Sequence, residues 1–225
     1  MLESQLLYRC MCAMAGMFPR LLDRKIDAIF VWGRAADEWQ STRFDDGVLK
    51  LAADLYRLTG SPVVIPGYVG SEKGQGTTGY PGPVAWRDAL EILGVADVDV
   101  FPTAGRGFNT KSEMDDFIDL AIDSQWLMTV AVTQYPHALR AMLGTVKSLA
   151  DRGTAELVVA PVWPHQFDWS RECYGSQGEG PYSRLQWIDQ EFERIPRYQE
   201  KGDLATLDQL FRYLADIHQQ LRGVG

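Results

Sequence analysis

The feature that most constrains this chain is an alternation of short apolar, β-branched runs with stretches of helical period. Residues 26–31, 62–65, 98–101, 126–133 and 156–160 read as strands, and the first of them closes at Gly33. Between them the apolar residues recur at three and four: Phe44, Val48, Leu51, Leu55 and Leu58 stop at Gly60, and a helix over about 84–93 closes at Gly94. Met114, Phe117, Ile118, Ala121 and Ile122 mark a third helix, and Leu139, Met142, Leu143, Val146 and Leu149 a fourth. Strands joined by helices pair in parallel, and right-handed crossovers place the helices on both sheet faces. The pattern predicts an α/β fold, a three-layer sandwich with a mainly parallel five-stranded sheet.

The 225 residues divide into a helical lead-in (1–25), the α/β domain (26–161) and a C-terminal part (162–225) packed on that domain. Residues 161–182 are rich in Pro, Gly and aromatics and read as a long irregular segment. Helices follow over about 183–195 and 203–221, the second with Leu204, Leu207, Phe211, Leu214 and Ile217 along one face. These two helices are the expected contact for any oligomer. Apolar residues make up 46% of the chain, enough for a core without a metal or disulfide staple. The net charge of −8 argues against a general nucleic-acid binder but leaves room for a local cationic pocket that takes a small anionic molecule. Cys10, Cys12 and Cys173 have no framework spacing and read as reduced thiols of a cytoplasmic protein. The apolar stretch at 10–18 is shorter than the ~20 residues of a membrane span and lacks the basic start of a signal peptide.

In a parallel sheet of this kind, ligands bind beyond the carboxyl ends of the strands. The residues that follow the strands are therefore the candidates: Trp32-Gly33-Arg34, Pro66-Gly67-Tyr68, Thr103 to Thr110, Thr133 to His137 with Arg140, and Pro161 to His165. Asn109 and Thr110 open a helix, so their amides suit an anion, while Thr110 with Glu113 spells a capping box. His137 and Arg140 share one helix face, and a histidine there suits acid–base work near neutral pH. The run Gly74-Gln75-Gly76-Thr77-Thr78-Gly79 spells a dinucleotide fingerprint, but no strand leads directly into it, so a lid or plain loop is expected. His165 and Asp168 sit in an aromatic loop that lacks a third metal ligand at recognisable spacing, and His218 ends a helical face as a structural residue.

Residues 27–161 resemble the bacterial YdcF/SanA/ElyC-like domain family, long catalogued as a domain of unknown function. The resemblance is carried by Thr133-Gln134-Tyr135-Pro136-His137-Ala138-Leu139-Arg140-Ala141, by Asn109-Thr110 before it, by Gly33, and by Arg43 at the family's first-helix arginine. The chain departs at Ala104, where the family carries an acidic residue, and at Pro66-Gly67-Tyr68, where it has a Ser-Gly-Gly-like turn. The resemblance implies a Rossmann-like sheet and a nucleotide-like or S-adenosylmethionine-like ligand, with S-adenosylmethionine the implied cofactor. The strand-end rim and the resemblance together put the expected ligand contacts at Gly33, Arg34, Arg43, Gly67, Asn109, Thr110, Thr133, His137 and Arg140, with His137 the acid or base. The alternative it leaves open is a hydrolase or transferase acting on phosphorylated carbohydrate or cell-envelope intermediates.

Overall fold

The computed structural model describes residues 2–17, 21, 23–33, 47–68, 80–107, 109–164, 168–174 and 180–222. In chain order its elements begin with α1 (Leu2–Ala15), β1 (Ala28–Val31), α2 (Val48–Thr59), β2 (Val63–Ile65), α3 (Pro83–Ile92) and β3 (Val100–Pro102). There follow α4 (Thr110–Asp123), β4 (Met128–Val132), α5 (Tyr135–Arg152), β5 (Val158–Val162), a small hairpin of β6 (Glu172–Cys173) and β7 (Tyr182–Ser183), α6 (Arg184–Glu200) and α7 (Leu207–Arg222).

The main sheet is parallel throughout, in the order β3-β2-β1-β4-β5. Apart from the edge strand β3, where Phe101 and Pro102 are exposed, its strands are buried on both faces, and alternate residues serve opposite layers. Ile29, Val31, Val63 and Ile65 pack with Leu49 and Ala52 of α2 and Trp86 of α3. Phe30, Trp32, Val64 and Ala131 pack with Met114, Phe117 and Ile118 of α4. This is the predicted Rossmann-like three-layer arrangement. Strand order reverses between β1 and β4, so the crevice for a ligand opens where Trp32-Gly33 and Thr133-Gln134 leave the sheet.

Several boundaries shift for local reasons. Residues 97–99 form a single 3-10 turn, which leaves Val98 exposed and starts β3 at Val100. Leu127 is exposed and β4 begins only at Met128, while β5 begins at Val158, two residues after the expected start. Helix α6 continues through the exposed Pro196 to Glu200, and the segment expected to be irregular contains the β6–β7 hairpin. Gly60, at φ +69°, ends α2 in the left-handed conformation that glycine adopts most readily. Arg34, Phe44, the glycine-rich run at 74–79 and His165 lie outside the described residues.

The C-terminal part packs on the domain and closes the sheet. Leu210, Leu214 and Ile217 of α7 are buried in the same core as the strands. The Tyr213 hydroxyl accepts from the Val159 N–H (2.9 Å) and donates to the Val159 carbonyl (3.1 Å), which protects the outer edge of β5. The lead-in helix joins it: Cys10, Met14 and Met17 are buried in that core, and the Arg24 guanidinium donates to the Leu221 carbonyl (3.0 Å) at the end of α7. Among the described residues no helix is long and apolar enough to cross a membrane.

Candidate functional site

Helix α4 begins at the carboxyl end of β3, and its cap differs from the expected one. Asn109, in extended backbone, accepts the Ser112 N–H on Oδ1 (3.0 Å), and Ser112 Oγ accepts the Asn109 N–H (3.2 Å). The box is Asn109–Ser112, one register before Thr110–Glu113, because the extended residue that can turn its side chain onto the helix is Asn109. Thr110 and Glu113 are thereby released for longer contacts. Thr110 Oγ1 accepts from Arg140 Nη1 (2.6 Å). Glu113, nearly buried, accepts the Gly33 N–H on Oε2 (2.9 Å) and the Tyr68 hydroxyl on Oε1 (3.1 Å).

Those contacts explain two of the glycines. A Cβ on Gly33 would lie 2.6 Å from the Tyr68 hydroxyl and 3.2 Å from Glu113 Oε2, so a side chain there displaces the carboxylate. A Cβ on Gly67 would lie 1.8 Å from the Thr103 carbonyl oxygen, where the ends of β2 and β3 cross. Gly67 is therefore used in backbone packing, with its N–H donated to Thr103 Oγ1 (3.1 Å). Thr133 is fully buried behind the rim, its N–H bonded to the Val162 carbonyl (3.0 Å).

The centre of the site is a buried ionic cluster. His137 is the third residue of α5 and Arg140 follows one turn later on the same face. Between them comes Glu191, from α6. Its Oε2 lies 3.1 Å from His137 Nδ1 and also accepts from Arg140 Nε, and its Oε1 accepts from Arg140 Nη2 (3.0 Å). His137 Nδ1 also lies 3.1 Å from Arg140 Nη2, so a protonated Nδ1 donates to the Glu191 carboxylate and an unprotonated one accepts from the guanidinium. Burial alone would raise the Glu191 carboxyl, but the charges of Arg140 and His137 outweigh it and hold the group well below the usual carboxylate range. Burial likewise works against the Arg140 charge, and Glu191 more than restores it. The Trp32 ring meets His137 edge-on (5.8 Å between centroids), and its indole N–H is buried without an acceptor among the described residues.

This cluster forms one wall of a cleft of about 250 Å³, reached also by Asn109, Lys111 and Gln134 from the α4 and α5 starts and by Tyr174 beyond β6. Helix α6 supplies the opposite wall with Trp187, Arg194, Arg197 and Tyr198. Lys111 is paired with Asp115 (2.7 Å) and Asp151 (3.3 Å), and Arg194 lies 3.6 Å from Glu191 and over the Trp187 ring. Arg197 has no carboxylate within ion-pair distance among the described residues, and its guanidinium lies 5.8 Å from the Tyr198 ring centroid. In a chain of net charge −8 this is a concentration of positive charge. Among the described residues no group of three or more His, Cys, Asp or Glu side chains is arranged to hold a metal ion.

Of the residues expected at one mouth, the structure gathers Asn109, Thr110, His137 and Arg140 on the cleft. Gly33 sits beside it, joined through Glu113, while Gly67 and Thr133 serve the scaffold. Arg34 and Arg43 lie outside the described residues. Arg140 has its guanidinium engaged by Glu191 and Thr110, so it holds the cluster together and is not an open anion receptor. Sequence reasoning missed Glu191, Arg194, Arg197 and Tyr198. The available signal was Arg184, Trp187, Glu191 and Tyr198 recurring at helical spacing, a polar stripe on a helix that also has a separate apolar one. The sequence matches no protein-family model and no curated protein.

Proposed function

We propose that the chain binds a small anionic molecule in the cleft between the starts of α4 and α5 and the face of α6, as a divergent, cytoplasmic YdcF-like protein. Nucleotide-like and S-adenosylmethionine-like molecules are the classes that this kinship implies. The observation that carries the reading is the buried Glu191 carboxylate, which holds both His137 and Arg140 at the edge of a cleft lined by further cations. Its support is geometric: Thr110 and Arg140, thirty positions apart in the sequence, meet at 2.6 Å, which joins the two motifs of the resemblance. Lys111, Arg194 and Arg197 add positive charge around the cleft, and a cleft lined mainly by one sign of charge focuses its field on an incoming ion of the other.

The test is a thermal-shift panel of inorganic phosphate, nucleotides, S-adenosylmethionine and sugar phosphates at near-millimolar concentration. A ligand at 100 times its Kd adds about 2.7 kcal/mol, a rise of roughly 5–10 °C for a chain of this length. No rise with any of these overturns the proposal.

A second reading, hydrolysis or transfer on phosphorylated carbohydrate or cell-envelope intermediates, draws on the contact between His137 Nδ1 and Glu191. A histidine oriented by a buried carboxylate is the usual construction of a general base. It requires turnover of a chromogenic phosphoester, assayed with each common divalent metal, that His137→Ala abolishes while the fold is retained.

A further inference from the structure

We infer that Arg140 and His137 form the receptor for the ligand's oxyanion, a carboxylate or a phosphate, and that Glu191 occupies it as a tethered competitor; the inference rests on the anion-binding reading above. The contact itself has the form of ligand recognition. Arg140 sends Nε to one oxygen of the Glu191 carboxylate and Nη2 to the other (3.0 Å), and His137 Nδ1 lies 3.1 Å from the first. Paired bonds from a guanidinium fork to two oxygens are how arginine takes up the carboxylate or phosphate of a bound molecule. Arg140, His137 and Glu191 all line the cleft, so an oxyanion that enters it meets this pair.

Exchange is feasible because each partner keeps a second hold. Taking Glu191 away alone would strand a buried guanidinium, but trading one oxyanion for another leaves the charge compensated. Arg140 keeps its place through Nη1, which donates to Thr110 Oγ1 (2.6 Å), and its guanidinium lies 5.8 Å from the Tyr198 ring centroid. Glu191 has Arg194 three positions on along α6, 3.6 Å from its Oε1 and with a quarter of its side chain exposed. The carboxylate therefore has two resting places, one on Arg140 and His137 and one on the more exposed Arg194.

Competition sets a threshold for binding. A carboxylate tethered on the same chain acts at an effective concentration on the order of millimolar. A ligand takes the receptor by offering an oxyanion together with further contacts, and Lys111 and Arg197 on the same cleft supply cations for those. Its apparent affinity scales with the fraction of molecules in which Glu191 has left Arg140.

The experiment is calorimetric titration of the full chain with inorganic phosphate, acetate and AMP, repeated on Glu191→Gln, which removes the competing charge and keeps the shape. At least one of the three should bind Glu191→Gln about tenfold or more tightly than it binds the wild type. The tighter of acetate and phosphate tells which oxyanion the receptor prefers. Where Glu191→Gln does not fold in chloride buffer, acetate or phosphate at the same ionic strength should restore its unfolding transition by taking the vacated place on Arg140. Failure of that rescue overturns the inference. Binding to the wild type that Glu191→Gln weakens or leaves unchanged makes Glu191 a support and not a competitor, which overturns the inference and leaves the anion-binding proposal standing. No heat from any of the three with either protein overturns the inference, and a flat thermal-shift panel beside it overturns the anion-binding proposal as well.

Discussion

Helices α6 and α7 lie next to each other in the sequence and bury opposite kinds of stripe. The buried stripe of α7 is Leu210, Leu214, Ile217 and Leu221, and it completes the hydrophobic core. The buried stripe of α6 is Arg184, Trp187, Glu191 and Ile195, of which Trp187 and Glu191 line the cleft while Ile195 joins the core. Removing a leucine from α7 leaves a cavity, whereas removing Glu191 from α6 leaves a charge without its counter-charge. Both helices are held by burial, but only one is held by a burial that costs free energy unless every partner is present.

Breaking the Glu191 contact is the most severe test of that contrast. Glu191→Ala strands the buried Arg140 charge and should cost about 3–5 kcal/mol in urea unfolding. A loss below ~1 kcal/mol would mean the cluster is solvated and that α6 resembles any surface helix. The same pair sets an acid limb. The Glu191 carboxyl is held well below its ordinary value in the folded chain, so its contribution is complete above the unfolded value and fades as the pH falls toward the folded one. Stability should therefore drop on acidification below about pH 4.5, and Glu191→Gln should flatten that drop.

The matching test on α7 is Leu214→Ala. Leu214 is fully buried among the strands and α1, so its truncation should cost about 2–4 kcal/mol while ligand titrations at the α6 cleft keep their affinity. A change in ligand affinity of the same size as the change in stability would mean that the two helices act as one unit.

The contrast also explains how much could be read from the sequence. The five strands, the helices between them and the carboxyl-end rim follow from short apolar runs and from a period of three to four, which depend on each segment alone. His137 and Arg140 were legible for the same reason, since both sit on one turn that follows a strand. Glu191 was not, because its meaning is a contact across fifty-one positions that no local pattern encodes. The capping box slipped by one residue because Thr110-x-x-Glu113 and Asn109-x-x-Ser112 are both acceptable locally. Glu113 is taken by the Gly33 amide and the Tyr68 hydroxyl, a tertiary demand that decides between them. Edge closure by Tyr213 lay equally far beyond local reading, as its partner is a strand fifty-four positions away.

The smallest expected effect is the one that most sharply separates the stripes of α6. Leu185, Ile188 and Phe192 recur at helical spacing and by pattern alone should be the buried face. Leu185 is instead 61% exposed and Phe192 40%, with Ile188 and Phe192 beside a shallow groove next to α1. Leu185→Gln should then change stability by no more than about 0.5 kcal/mol, the usual range for a surface position. If the apolar stripe were the buried one, the same change would place an amide in the core at a cost of several times that. The two outcomes cannot coexist on a rigid helix. Turning α6 far enough to bury Leu185 and Phe192 carries Glu191 away from Arg140 and His137, because they occupy different sides of the same cylinder. A neutral Leu185→Gln beside a costly Glu191→Ala fixes the rotation of α6, and with it which side chains the cleft contains.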